Sequence, residues 1–90
     1  MNAFETGRLV LSMMGHDKGH FYIVVDMLKD GTVLVADGKV RTIANPKKKN
    51  PKHLVAEPIC FSELKEKLRQ GTAYDYEIIT ALHNDRAKEA

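Results

Sequence analysis

Short apolar runs separated by glycine-containing turns fill the first half of the chain, and this spacing constrains the fold more than any other feature. The strand-like runs are GRLVLSMM at residues 7–14, HFYIVVDML at 20–28 and TVLVA at 32–36. Phe21, Ile23, Val25 and Met27 recur at period 2 on one face of a strand, and the residues between them are also mostly apolar, so both faces are predicted to be at least partly buried. GHDKGH and KDGT join the runs, and an Asp-Gly pair favours a tight hairpin. The sequence therefore predicts antiparallel strands connected by hairpins.

Two further strands are predicted to complete the sheet. DGK at 37–39 leads into KVRTI, a short strand that carries Arg41, and HLVA at 53–56 is a closing strand that ends at Glu57-Pro58. Between them, NPKKKNPK at 45–52 has two prolines that block ladder pairing and four lysines that favour water, so an exposed loop is predicted. Five short strands with tight turns predict a mainly β fold, a small barrel formed by residues 1–56.

The hydrophobic period changes after this barrel. Phe61 and the apolar residues after it recur at helical spacing, Ser62 can cap the first amides, and Gly71 sits where a helix commonly ends. A helix is therefore predicted over about residues 63–70, and a second one is predicted to start near Asp75. A barrel of this size has few core side chains. We expect residues 57–90 to form a helical extension that packs on or beside the barrel and adds core area.

Composition indicates one domain that stays in water. Ninety residues with 43% hydrophobic and 29% charged side chains suit a single globular core. The longest apolar run, residues 21–25, is far shorter than the roughly 20 residues that cross a bilayer, and no basic and then apolar leader follows Met1. A cytoplasmic monomer without a membrane partner is therefore expected. The single cysteine, Cys60, excludes an intrachain disulfide and a multi-cysteine zinc cluster.

Positive charge is concentrated in the first part of the chain. Residues 1–56 carry nine basic and five acidic residues, whereas residues 57–90 carry five basic and seven acidic residues. A surface that binds anions is therefore expected in the first part. Within the GHDKGH turn, Gly15 and Gly19 let the main chain approach a phosphate closely, and Lys18 adds a point charge.

The stretch from residue 7 to residue 38 resembles the KOW motif of ribosomal proteins and transcription elongation factors. The matching positions are Gly7, Val10, Gly15, Asp17, Lys18, Gly19, Val24 and Val25. The later KKKNPKHLVA is similar to the lysine-rich segment and closing strand of small bacterial KOW-containing RNA-binding proteins, which resemble the large-subunit ribosomal proteins called fourteen-e, six-e and twenty-seven-e. His16 and His20 stand where relatives often have arginine or lysine.

This resemblance covers about residues 7–56 and implies an SH3-like barrel that binds RNA, most often ribosomal RNA, through loops and strand ends. The chain is therefore predicted to be a non-enzymatic, ribosome-associated RNA-binding protein without a cofactor, with ribosomal proteins as further partners. The residues predicted to contact RNA are Gly15, His16, Lys18, Gly19, His20, Arg41, Lys47, Lys48, Lys49, Lys52 and His53. Six phosphate contacts from these lysines and the arginine would give a salt slope of roughly −4 on single strands.

Other interpretations of the same residues stay open. The turn and the lysine run are also typical of a plain hairpin and a solvated loop. A metal site on His16, Asp17 and His20 lacks a fourth ligand and matches no zinc spacing. An enzyme is not indicated, because no catalytic constellation stands out and a small barrel leaves little room for a pocket of about 300 Å³.

A protein-interaction module is the main rival to RNA binding. SH3-like barrels often bind peptides, and fold alone does not decide function. Tyr74, Tyr76 and Ile79 of the helical extension would then form an exposed patch for a protein partner.

Overall fold

A five-stranded antiparallel sheet and two C-terminal helices make up the fold. The computed structural model describes the backbone of residues 3–89 and the side chains of residues 3–84. The strands are β1 (Arg8–Ser12), β2 (Phe21–Met27), β3 (Val33–Ala36), β4 (Lys47–Lys49) and β5 (Leu54–Cys60). A one-turn 3₁₀ helix (Pro51–His53) precedes β5, and the α-helices are α1 (Ser62–Gln70) and α2 (Asp75–Glu89).

The sheet has the order β4-β3-β2-β1-β5, so β5 returns to lie beside β1. The first three predicted strands and the two hairpins between them are confirmed, with Val10 opposite Tyr22 and Val24 opposite Val35. Within residues 3–89, no ladder joins β4 to β5, and the sheet is therefore not closed. The prediction of a mainly β fold with a helical extension is confirmed at this level.

The fourth strand was predicted in the wrong place. Residues 37–46 form turns, because the Asp37 carboxylate accepts the amides of Lys39 and Arg41 and bends the chain back. The triple-lysine segment, predicted to be an exposed loop, is instead β4, with Val33 opposite Lys49. Prolines 46 and 51 flank this short edge strand, where their missing amides interrupt no ladder.

The fifth strand is longer than predicted. It begins at Leu54 and continues through Pro58 to Cys60, so the prediction that Glu57-Pro58 ends it was wrong. Proline is tolerated there because β5 is an edge strand, paired with β1 on one side.

Buried side chains form two clusters, one on each face of the sheet. The first cluster joins the sheet to both helices and consists of Leu9, Ile23, Ala36, Leu64, Ile78 and Leu82. The second consists of Val10, Tyr22, Val24, Val33, Val35 and Leu54. Lys49 of β4 reaches the Met14 carbonyl oxygen, which follows β1, although β3 and β2 lie between these two strands in the sheet. The sheet therefore curls around the second cluster. A register shift between Val24 and Asp26 marks a bulge, and Met27 lies against the second cluster instead of continuing the predicted face of β2.

The helices begin and end close to their predicted bounds. α1 starts at Ser62, but Phe61 occupies the cap position without a side-chain bond, so the predicted Ser62 cap was wrong. Gly71 ends α1 in the left-handed conformation, as predicted. α2 starts at Asp75, whose carboxylate accepts the amide of Ile43. No helix in the described part of the chain is long and apolar enough to cross a bilayer.

Gly38 lets the turn after β3 pack directly on α2. Its φ is 83°, and a Cβ there would lie 2.6 Å from the Asp75 carbonyl oxygen and 2.7 Å from Ile79 Cγ1. Gly31 in the preceding hairpin has a φ of 91° with nothing within 4 Å. The two glycines therefore share a positive φ and differ in their surroundings.

We expect Gly38→Ala to destabilise the protein more than Gly31→Ala does. Positive φ costs about 1–2 kcal/mol in both variants, and overpacking against α2 adds about 1–3 kcal/mol in the first. Urea unfolding of both variants measures the difference. Equal losses of unfolding free energy would contradict close packing between this turn and α2.

Candidate functional site

The Asp17 carboxylate connects the GHDKGH turn to β1, β2 and β4. It accepts hydrogen bonds from Tyr22 Oη at 2.7 Å and from Ser12 Oγ at 3.0 Å. Lys47 Nζ and Lys49 Nζ each lie 3.1 Å from one of its oxygens. We call these five residues the Asp17 cluster. The cluster holds the GHDKGH turn against β4, the strand formed by the three lysines. The two segments must lie side by side if they are to form one anion-binding surface.

The Asp17 cluster favours the ionised carboxylate. Partial burial alone would raise the pKa of Asp17, but the hydrogen bonds from the other four members outweigh burial and hold it well below its usual range. Burial also raises the pKa of Tyr22, and donation of its hydroxyl proton to Asp17 raises it further. The cluster therefore contains one stable negative charge between two ammonium groups.

The three lysines of β4 have different surroundings. Lys47 and Lys49 share the strand face that meets Asp17, and Lys49 also donates to the Met14 carbonyl oxygen. Lys49 is only 7% exposed. Lys48 is exposed and lies beside Asp30 of the β2–β3 hairpin. Of the three lysines predicted to contact RNA, Lys49 is thus buried beside Asp17, Lys47 is paired with Asp17, and Lys48 lies beside the β2–β3 hairpin.

The GHDKGH turn is exposed, but several of its backbone amides donate hydrogen bonds within the same hairpin. The Gly19 amide donates to the Ser12 carbonyl and the Lys18 amide to the Gly15 carbonyl, so these two amides are not available to a phosphate. Within residues 3–84, the amides of positions 15–17 have no acceptor. His16 and Lys18 are exposed, and Lys18 has no acidic partner in the same part of the chain.

The other predicted RNA-contacting residues lie around this turn. His20 Nε2 is 2.9 Å from Asp37 Oδ2, and Asp37 holds the turn that contains Arg41. The His53 carbonyl accepts the Met13 amide at the end of β1, which places the 3₁₀ helix and the exposed Lys52 beside the same turn. Except for Lys48, the predicted residues are therefore connected through neighbouring contacts.

A groove beside α2 was missed by the sequence analysis. It has a volume of about 430 Å³ and is larger than the pocket expected for so small a barrel, because α2 adds a wall beside the sheet. Its lining consists of His20, Phe21, Asp37, Lys39, Ile79, Leu82 and His83. We call it the α2 groove. No sequence signal marked it, since its residues are distributed over three separate segments.

Two of the three residues weighed as metal ligands, Asp17 and His20, have other partners. Asp17 is bonded to the lysines and His20 to Asp37. Across the described side chains, no group of three His, Cys, Asp or Glu residues is arranged to hold a metal ion.

We expect Asp17→Asn to lower the free energy of unfolding at pH 7 by about 2–4 kcal/mol. The change removes the counter-charge of the buried Lys49 ammonium and leaves that cation unpaired. Because the pKa of Asp17 is lower in the folded chain than in the unfolded chain, its carboxylate stabilises the fold above about pH 4. This contribution is lost as the pH falls below that value.

Urea unfolding at pH 7, pH 4 and lower pH measures this effect as the stability gap between wild type and Asp17→Asn. The gap should narrow as the pH falls. Glu66→Gln is a suitable control, because Glu66 is 62% exposed and lies 3.9 Å from Arg69, so it should change stability by less than about 0.5 kcal/mol. A gap that is constant with pH would show that the carboxylate charge is not what stabilises the turn.

Comparison of the chain with models of known protein families and with curated proteins gives no match. Its function has therefore to be inferred from the contacts of the turn, the lysine strand and α2.

Proposed function

We propose that the protein binds RNA through the surface formed by the GHDKGH turn and the segments that contact it. The observation that carries this proposal is the Asp17 cluster, which holds the turn against the lysine strand. The exposed Lys18 and the three amides of positions 15–17 then lie beside further positive charge. Cations and free backbone amides are the groups that bind phosphate oxygens.

The surrounding cations support the same function. Lys52 is exposed, and Lys18, Arg41 and Lys52 have no acidic partner among the described side chains. Lys48 lies beside another hairpin and Lys47 and Lys49 stay with Asp17, so the other three cations are the ones available for phosphate contacts at this surface. The expected salt slope on single-stranded RNA is then about −2, compared with about −4 for six contacts.

The RNA is proposed to be ribosomal, on the resemblance to KOW proteins. The same resemblance implies an SH3-like barrel and a cytoplasmic protein on the ribosome. The curl of the sheet supports the barrel, because Lys49 of the edge strand β4 reaches Met14 and Asp17 of the β1–β2 turn.

We expect Lys18→Glu to weaken RNA binding by about tenfold or more, because it removes one phosphate contact and adds a repulsive charge to the turn. Lys29→Glu is the matched control, since Lys29 is also an exposed lysine but lies in the β2–β3 hairpin. Fluorescence anisotropy with labelled ribosomal RNA fragments at several salt concentrations measures both affinities and slopes. Equal losses for the two variants would show that net charge, and not the turn, determines binding.

Charge reversal of the triple-lysine segment is a less discriminating test. Glutamate at position 49 would place a second carboxylate against Asp17 in a nearly buried position. Loss of RNA binding by such a variant would follow from unfolding as readily as from a lost contact. Lys48→Glu changes the charge of this strand without disturbing the Asp17 cluster.

A protein-interaction module remains a second candidate because of one observation at the start of α2. Tyr74 and Tyr76 are 63% and 64% exposed, and their rings stack with centroids 5.5 Å apart. Two large exposed rings are typical of a protein-binding surface. If this candidate is right, Tyr74→Ala with Tyr76→Ala should abolish capture of a protein partner in cells, whereas Lys18→Glu should not.

A further inference from the structure

The α2 groove lies directly beside the proposed RNA-binding turn. His20, the last residue of the GHDKGH segment, lines the groove, and Phe21 at the start of β2 follows it. α2 supplies the opposite wall through Ile79, Leu82 and His83. A chain that contacts the turn can therefore continue into the groove without crossing another element.

The floor and the rim of the groove differ in chemistry. Leu82 belongs to the first buried cluster and Phe21 packs against it, and the apolar side chain of Ile79 also lines the groove. The rim carries the exposed side chains of Lys39 and His83 and the half-exposed ring of His20. An apolar floor with one lysine and two imidazole rings at the rim suits a flat ring attached to an anionic group.

Asp37 is the acidic residue in the lining, and its carboxylate is fully engaged. Oδ1 accepts the amides of Lys39 and Arg41, and Oδ2 contacts His20 at 2.9 Å. Burial alone would raise the pKa of Asp37, but these bonds lower it, so the charge is held by neighbouring donors. The Asp37 carboxylate therefore holds His20 at the rim of the groove. Its donors also screen its negative charge from an anion that approaches Lys39.

We propose that the α2 groove binds one unpaired nucleotide of an RNA chain. The base would lie against Phe21 and the aliphatic floor, and the phosphate beside Lys39 and His83. Unpaired bases stack on aromatic side chains, whereas paired bases in a duplex are already stacked on each other. The volume of about 430 Å³ is at the lower end of the range for small-molecule sites, which fits one nucleotide. This inference rests on the proposed RNA-binding function and adds a preference for single strands.

The test compares Phe21→Leu with Phe61→Leu. Both phenylalanines are half-buried and pack against the same core cluster, but Phe61 lies outside the groove. Each change removes an aromatic ring, keeps an apolar side chain and leaves the net charge unchanged. Anisotropy titrations of a single-stranded RNA and of a blunt duplex of the same length measure the two affinities, and circular dichroism checks the fold.

Wild type should bind the single strand more tightly than the duplex. Phe21→Leu should weaken single-strand binding about 5- to 20-fold through lost stacking and change duplex binding less than twofold, whereas Phe61→Leu should affect neither. Equal effects of the two variants, with Lys18→Glu still weakening binding, would overturn the groove assignment and leave the proposed function standing. Absence of binding to either RNA would overturn both.

Competition with free mononucleotides tests whether the α2 groove binds a nucleotide within an RNA chain or a free nucleotide. A large excess of AMP or UMP should leave the labelled single strand bound to wild type, because contacts with the turn hold the chain in place. Displacement of the strand by a mononucleotide would assign the groove to free nucleotides and overturn its assignment to RNA.

Discussion

The contact between Asp17 and the two lysines of β4 is the interaction on which the surface of this protein depends. The sheet has no ladder between β4 and β5, so its open side is held by other contacts. Lys49 reaches from β4 to the Met14 carbonyl and to Asp17, and His53 meets the end of β1 through its carbonyl oxygen. One carboxylate thereby fixes both the position of the turn and the edge of the sheet.

The triple-lysine segment has a structural role that its composition does not show. A short edge strand with exposed backbone groups invites pairing with another chain, and lysines and inward-pointing charges oppose it. Lys47 and Lys49 satisfy this requirement and neutralise Asp17 at the same time. A charge run is commonly interpreted as a solvated or binding surface, but here two of its three ammonium groups act within the fold. Lys48 is the member that stays exposed.

The sequence predicted the elements whose signals are local and missed those that depend on distant partners. The first three strands, their hairpins, the α1 terminus at Gly71 and the start of α2 follow from alternation, Asp-Gly chemistry and helical spacing. KVRTI has strand-forming residues, but the Asp37 carboxylate accepts two amides of this segment, and the turn packs against α2 at Gly38, where a Cβ would clash with the helix. β4 has little strand propensity and exists because β3 offers it a ladder. The α2 groove was not predictable, since it arises from the packing of α2 beside the sheet.

Two of the five acids in the basic part of the chain, Asp17 and Asp37, are enclosed by donors, which helps this part present positive charge although the net charge of the whole protein is only +2. Asp17 is surrounded by Tyr22, Ser12 and two lysines, and Asp37 by two amides and His20. Both carboxylates are largely buried and engaged with donors, so each stabilises a turn and projects little negative field into water. The exposed groups of the same turns are Lys18, Lys39 and His16. Folding therefore separates the charges, with the acids inside the turns and the cations outside, and an anion approaching this end of the sheet meets mainly the cations.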